Sequence, residues 1–307
     1  VIRLGTRGST LALVQARIVA DALGGAERVE IVPMRTEGDR LAETRLAVAG
    51  GKGLFVREIE EALLRGDVDL AVHSLKDLPA EPPAGLVLAA FPPREDPRDV
   101  LVTKAPASLD TLSSGARVGT SSPRRRALLL AARPDLAVEP IRGNVDTRLR
   151  KLAEGDWSAI VLAAAGLRRL GFEPTHATAL EPDAFVPAVG QGIIAVEARA
   201  DDRATLAAVR RADDPSTRAC ALAERAYLAR LGASCNTPMA AHARLEGATL
   251  RMVAVVAGED GRRVLRAAAD APAAEAERLG LELADRLLAQ GAAELVALNP
   301  QPGVRSR

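Results

Sequence analysis

The sequence predicts an α/β fold of two layered lobes followed by a small α+β unit, and three observations carry that reading. Across the first two thirds of the 307 residues, strand signals alternate with helix signals. Two irregular stretches, Pro92-Pro93-Arg94-Glu95-Asp96-Pro97 and Pro182 to Gln191, break that alternation, so the chain leaves one lobe and later returns to it. From about Ser216 the style changes to a helix, three strands with tight turns and a final amphipathic helix.

Taken in order, Ile2 to Gly5 reads as a strand and Ser9 to Leu23 as a helix. Val29 to Met34 is a strand, and Phe55 to Leu64 a helix with Glu58, Glu60 and Glu61 on its polar side. Asp69 to His73 is a short buried strand in which His73 reads as a satisfied core histidine. Further strands are expected at Leu86–Ala90, Val100–Thr103, Arg117–Gly119, Ala159–Leu162 and Gly192–Glu197, forming largely parallel sheets. A helix over 216–231 precedes Gly232 and the Cys235 loop. Antiparallel strands follow at Ala240–Leu245, Leu250–Ala257 and Arg263–Ala268, turning at Gly247 and Asp260-Gly261. A long helix covers Ala273 to Gln290, and Asn299 to Arg307 reads as a frayed end. The expected domains are 1–93 with 192–213, 97–187, and 216–307, and the double crossing suits hinge closure over a cleft.

Composition narrows the function. Net charge is +1 and aromatic residues make up 2% of the chain, which argues against nucleic-acid binding by a global field or by base stacking. No stretch is apolar for long enough to span a bilayer as a helix. Residues 1–8 read as a strand and turn and not as a secretory signal, so a cytoplasmic enzyme is expected. Two cysteines make no disulfide framework, and three scattered histidines suggest no metal site.

The chemistry-bearing residues gather where strands end. Thr120-Ser121-Ser122-Pro123-Arg124-Arg125-Arg126 offers an N-cap, a proline at the first helical position and arginine forks, which is either a well-capped helix with solvated arginines or, the favoured reading, an anion site for carboxylate or phosphate. Three consecutive arginines cannot share one helix face, so one of them points to solvent. Arg142-Gly143-Asn144 with Arg148, and Thr6-Arg7-Gly8-Ser9, repeat the pattern, which implies a ligand with several negative groups. Gly50-Gly51-Lys52-Gly53 is either a flexible surface loop or a ligand-closing one. Asp77, in His73-Ser74-Leu75-Lys76-Asp77, is either a local cap or a carboxylate that stabilises a cation in a cleft. Cys235, in Gly232-Ala233-Ser234-Cys235-Asn236-Thr237-Pro238, is either a thiol packed under a loop or a site of covalent attachment. Cys220 shares helical spacing with Ala223, Tyr227 and Leu231 and reads as packing.

Together these segments, with Arg94-Glu95-Asp96-Pro97-Arg98-Asp99 and Pro187-Ala188-Val189-Gly190-Gln191-Gly192, resemble the hydroxymethylbilane synthase (porphobilinogen deaminase) family nearly end to end. The resemblance implies two lobes like those of periplasmic binding proteins, a double-crossover hinge and a third domain carrying the cofactor cysteine. It implies a transferase of tetrapyrrole and heme biosynthesis that joins four porphobilinogen units onto a covalent dipyrromethane primer. Each addition loses ammonia, and the hydroxymethylbilane is then released by hydrolysis. By the same resemblance Cys235 holds the dipyrromethane, Asp77 is catalytic, and Lys76, Ser122, Arg124, Arg125 and Arg148 bind the cofactor. Arg7, Ser9, Lys52, Arg142 and Arg169 would bind substrate, Asp39 would lie at the start of the flexible loop that carries Lys52, and the chain would be a monomer with no metal. This sequence departs from the family pattern at Val48, Thr10, Val14 and Ser234. A non-enzymatic two-lobed anion binder would share the hinge and arginines but would need neither Cys235, Asp77 nor the extra domain.

Overall fold

The computed structural model of the chain describes residues 1–34, 56–232 and 237–297. Asp39, Val48, Lys52, Phe55, Ser234, Cys235 and the segment from Asn299 to Arg307 lie outside them.

The first sheet contains β1 (Ile2–Arg7), β2 (Val29–Met34), β3 (Leu70–Ser74), β4 (Leu86–Ala90) and β10 (Ile194–Arg199). Their spatial order is β2-β1-β3-β10-β4. Pro33, which cannot donate to a ladder, falls on the edge strand β2. Helix α1 (Thr10–Ala22) begins at Ser9, whose Oγ accepts from the Ala12 N–H at 3.4 Å. It packs Ala16 and Val19 against Leu4, Leu70, Val72, Ile194 and Val196 on one face of the sheet. Helix α2 (Arg57–Arg65) lays Ile59, Ala62 and Leu63 on Ala71 and Leu86 of the other face. A Cβ at Gly5 would already touch Val68 and Ile59 at 3.2 and 3.3 Å, so α2 approaches β1 closely.

The second sheet contains β5 (Asp99–Thr103), β6 (Arg117–Gly119), β7 (Ala137–Glu139), β8 (Ala159–Ala163) and β9 (Ala177–Ala179), in the order β7-β6-β8-β5-β9. Residues alternate between its two faces. Leu101, Val118 and Val161 meet α3 (Pro123–Ala132), while Val100, Val102, Ile160 and Leu162 meet α4 (Val145–Glu154) and α5 (Ala164–Arg169). Helix α6 (Arg203–Val209) follows β10, and Val209 closes the first core. Beyond it, α7 (Pro215–Leu231), β11 (Met239–Glu246), β12 (Thr249–Ala257), β13 (Val264–Pro272), α8 (Ala276–Ala289) and α9 (Ala292–Ala297) form an antiparallel three-stranded sheet with helices on it. Its core holds Cys220 and Tyr227, and the Tyr227 hydroxyl donates to the Val255 carbonyl at 2.9 Å.

Several sequence expectations need correction. Both five-stranded sheets are mixed, four strands running one way and one reversed: β10 runs antiparallel to β3 and β4, and β5 antiparallel to β8 and β9. The two crossings bring these strands in from the opposite lobe, which reverses their direction. Ile141, which the repeated pattern of strand, glycine turn and helix start places at a strand end before Arg142, stands outside any strand, because β7 ends at Glu139. The strands β7 and β9, three residues each, were not anticipated, being too short to show a period. Glu60 lies on the buried side of α2 at 8% exposure, not on its polar side. His73 is buried, yet its Nε2 makes no hydrogen bond to any described residue, so it is not a satisfied core histidine.

The crossing segments lie against each other. The Glu95 N–H donates to the Gly192 carbonyl at 3.1 Å, and Gln191 Nε2 donates to the Pro97 carbonyl at 2.7 Å. Gly192 has φ +86° and its absent Cβ would sit 2.3 Å from the Glu95 carbonyl oxygen, so only glycine fits there. Where the segments meet α7, Glu224 is fully buried. It accepts from Arg94 Nη1 at 2.7 Å, the Gly190 N–H at 2.6 Å and the Ala243 N–H at 2.8 Å. His242 lies 4.0 Å from Glu224 but is neutral, because burial and then the charges of Arg94 and Arg244 press its pKa to about 3.

Candidate active site

Strands β1 and β3 of the first sheet, and β6 and β8 of the second, end on a common space between the lobes, where each gives way to a turn or helix. β1 delivers Arg7, and Ser9 starts α1. β3 runs into a single 3-10 turn, Leu75–Asp77, which carries Lys76 and Asp77. β6 leads to Ser122, whose Oγ accepts from the Arg125 N–H at 3.4 Å at the start of α3. β8 passes directly into α5 and so to Arg169.

Three contiguous regions of this cleft share their walls. Arg7, Ser9, Gln15, Ser74 and Asp77 border the first. Lys76, Asp77, Ser122, Arg124, Arg125 and Thr237 border the second. Gln15, Ser74, Lys76, Arg125, Arg148 and Arg169 border the third. Asp77 joins the first two regions and Lys76 the last two. Arg142 is exposed on the turn before α4 and belongs to none of these walls. Lys52 and Cys235 lie outside the described residues, while Thr237, two residues along the chain from Cys235, lines the cleft beside Asp77. Arg126 is the arginine that turns outward, as the helix period requires.

Electrostatics make the cleft a cation-lined space. Asp99 is fully buried between Arg124 Nη1 at 2.7 Å and Arg125 Nε at 2.9 Å, with Gln191 Nε2 at 3.0 Å. Burial alone would raise this carboxyl, but Arg124 and Arg125 overcome it and hold its pKa at about 2. One carboxylate between two guanidinium groups leaves an excess positive charge. The Nε atoms of Arg124 and Arg148 are buried with no acceptor among the described residues. Burial lowers the pKa of Arg148, with the Arg125 charge adding to it, and burial lowers that of Arg169 as well. Lys76 is pushed down by burial and by Arg125 and Arg124, against the opposing pull of Asp77. A ligand with several carboxylates would relieve all of these groups at once.

Sequence reasoning missed Gln15, Asp99 and Gln191 as members of the site. Gln15 left a readable signal: it is the polar residue on the apolar stripe Ala12-Ala16-Val19 of α1, and its Nε2 donates to Ser74 Oγ at 2.8 Å. Among the described residues no group of three or more His, Cys, Asp or Glu side chains is arranged to hold a metal ion. No described helix is long and apolar enough to cross a membrane.

Comparison with known proteins bears on this geometry. Residues 2–207 match the family model described as porphobilinogen deaminase, dipyromethane cofactor binding domain. Residues 218–289 match that of the porphobilinogen deaminase C-terminal domain. The porphobilinogen deaminase of Syntrophotalea carbinolica is 48% identical over 98% of this chain and 98% of its own length. That of Roseiflexus sp. (strain RS-1) is 51% identical over 96% of this chain and 98% of its own. Among solved structures, the methionine binding protein MetQ aligns over 69% of this chain and 89% of its own, with 15% identity and a TM-score of 0.43.

Proposed function

The chain belongs to the porphobilinogen deaminase family, and from that premise we propose that it is a hydroxymethylbilane synthase. It condenses four porphobilinogen molecules head to tail on a covalently held dipyrromethane, with loss of ammonia at each step, and releases hydroxymethylbilane by hydrolysis. The observation that carries this reading is a cleft whose walls are cationic, with Asp77 exposed where two of its regions meet.

The cofactor fits the residues present. Each pyrrole of a dipyrromethane bears an acetate and a propionate, and the unaccepted Nε donors of Arg124 and Arg148 are suited to such carboxylates. Lys76, Ser122, Arg124, Arg125 and Arg148 would hold it, with Cys235 as the point of attachment and Thr237 beside it in the chain. When bound it supplies the pyrrole carbon to which the first substrate is joined.

Arg7, Ser9, Lys52, Arg142 and Arg169 bind the acetate and propionate of porphobilinogen, Arg142 from the exposed turn before α4. Their role is to position the substrate, which converts a bimolecular encounter into an oriented one. Loss of ammonia leaves positive charge on the substrate's methylene and ring nitrogen. The Asp77 carboxylate stabilises that charge and accepts the pyrrole N–H proton as it becomes acidic. The division into 1–93 with 192–213, 97–187 and 216–307, and a monomeric state in the cytoplasm, belong to the same proposal.

The test is the intact mass of the purified protein beside a Cys235→Ala variant, with an aldehyde colour reaction for pyrroles on both. A dipyrromethane mass on the wild type alone supports the reading. Its absence from wild type after incubation with porphobilinogen would leave an anion binder on this fold.

A further inference from the structure

Behind the Asp77 turn lies a group of ionisable side chains that the chemistry above does not use. In the antiparallel pairing of β3 with β10, His73 faces Ala195 and Ala71 faces Glu197, so His73 and Glu197 share one face of the sheet. His73 Nε2 lies 3.4 Å from Glu197 Oε2, with the two side chains 3% and 0% exposed. Glu60 descends onto the same face from α2. Glu60 Oε1, His73 Nε2 and both Glu197 carboxylate oxygens are buried without a hydrogen-bond partner among the described residues. Three adjacent acid–base groups in an otherwise apolar layer are costly unless protons lie between them.

The group is mechanically linked to the site. Val56, at the start of α2, packs with Leu75 and Leu78, which bracket Asp77 in the chain. Val56 and His73 border the same region of the cleft as Arg7, Ser9 and Asp77. From the far side, the Arg225 guanidinium of α7 feels the charge of Glu197 and donates to the carbonyls of Pro79 and Ala80, just beyond the turn.

We propose that Glu60, His73 and Glu197 form a buried proton-sharing cluster that holds α2 on the sheet and thereby positions the Asp77 turn for turnover. These are positioning residues, acting through the Asp77 turn, and the proposal rests on the reading of Asp77 given above. Burial, then the negative charge of Glu197, raise the Glu60 carboxyl to about 7 against the opposing effect of His73. Glu60 therefore changes its protonation state near neutral pH.

The experiment is the pH profile of kcat and KM for wild type, Glu60→Gln, Glu60→Ala and Glu197→Gln, with urea midpoints measured alongside. Wild-type kcat is expected to show an ionisation near pH 7, and Glu60→Gln to lack it. Glu197→Gln, which removes the like charge, moves that ionisation down by about half a unit or more. Glu60→Ala lowers kcat about tenfold with KM little changed, as expected when a catalytic turn is displaced. An unchanged profile in both glutamine variants overturns the proposal, whether or not the alanine variant folds. Failure of the functional reading is separable, because the cluster also registers in stability. The unfolded carboxyl titrates near 4.5 and the folded one near 7, so wild-type stability falls as pH rises through that window and is flat above it. Glu60→Gln loses that fall even if no product is ever made.

Discussion

Glu224→Ala removes a carboxylate at which both crossing segments and the third sheet converge. Its oxygens accept from Arg94, Gly190 and Ala243, all within 2.8 Å, and the side chain is fully buried. Truncation leaves the Arg94 guanidinium with the Gln191 and Ala243 carbonyls and the Cys220 thiol but no countercharge from Glu224, and it strips two backbone N–H groups of the acceptor they had there. Breaking one partner of a buried ion pair costs about 3–5 kcal/mol, and each orphaned N–H about 1–3 kcal/mol. Water entering the space left by the side chain offsets part of that sum, so the expected loss is about 4 kcal/mol, a large share of a typical folding free energy of about 5–15 kcal/mol. The assay is urea unfolding followed by far-ultraviolet circular dichroism and by the fluorescence of Trp157, the single tryptophan, which lies in the second lobe with Arg117 over its ring. Arg94→Met removes the stranded charge, so the pair Arg94→Met/Glu224→Ala should recover about 2 kcal/mol of the summed single losses. A loss below about 1 kcal/mol for Glu224→Ala, or strictly additive single losses, would refute the reasoning.

Three further outcomes are expected. Asp77→Ala keeps the fold and the attached primer but lowers turnover by about a hundredfold or more, as read by hydroxymethylbilane formation; normal turnover removes Asp77 from the chemistry. Asp99 has a folded pKa near 2 against 3.8 unfolded, so its contribution of about 2 kcal/mol is present at neutral pH and is lost as pH falls through that interval. Asp99→Asn should be less stable than wild type at neutral pH, with the difference closing in strong acid, and a constant difference across that range contradicts the assignment. Burial, with the Glu224 charge, raises the Cys220 thiol to about 11, so alkylation of the native protein at neutral pH should spare Cys220 and modify it only after unfolding. Peptide mapping that finds native Cys220 labelled would place it outside the core.

What could be read from the sequence was local. Ser9 and Ser122 cap helices as their position before helical periods required, and Gly232 ends α7 in the left-handed conformation. The Arg-bearing turns were legible because each consists of neighbouring residues. Asp99 was not, because its partners stand 25 and 26 residues away in sequence and nothing at the end of an apparent linker announces a buried hub. Glu60 was misread for a related reason. Glu58, Glu60 and Glu61 look alike in sequence, and only the position of β3 and β10 beneath α2 decides which of them is covered. The mixed direction of the sheets was hidden too, since strand periodicity carries no information about pairing partners.

The place of β10 has a consequence for how the chain is made. It inserts between β3 and β4, although it is synthesised only after the entire second sheet. Until residues 194–199 emerge, β3 and β4 each present an open edge, while β5 to β9 already contain everything their own sheet requires. The lobe that comes first in the chain is thus the later to finish, and its contacts are the more distant in sequence. A growing or truncated chain that stops short of β10 exposes unpaired strands in its N-terminal half, which makes that half the place where chaperones or aggregation would first act.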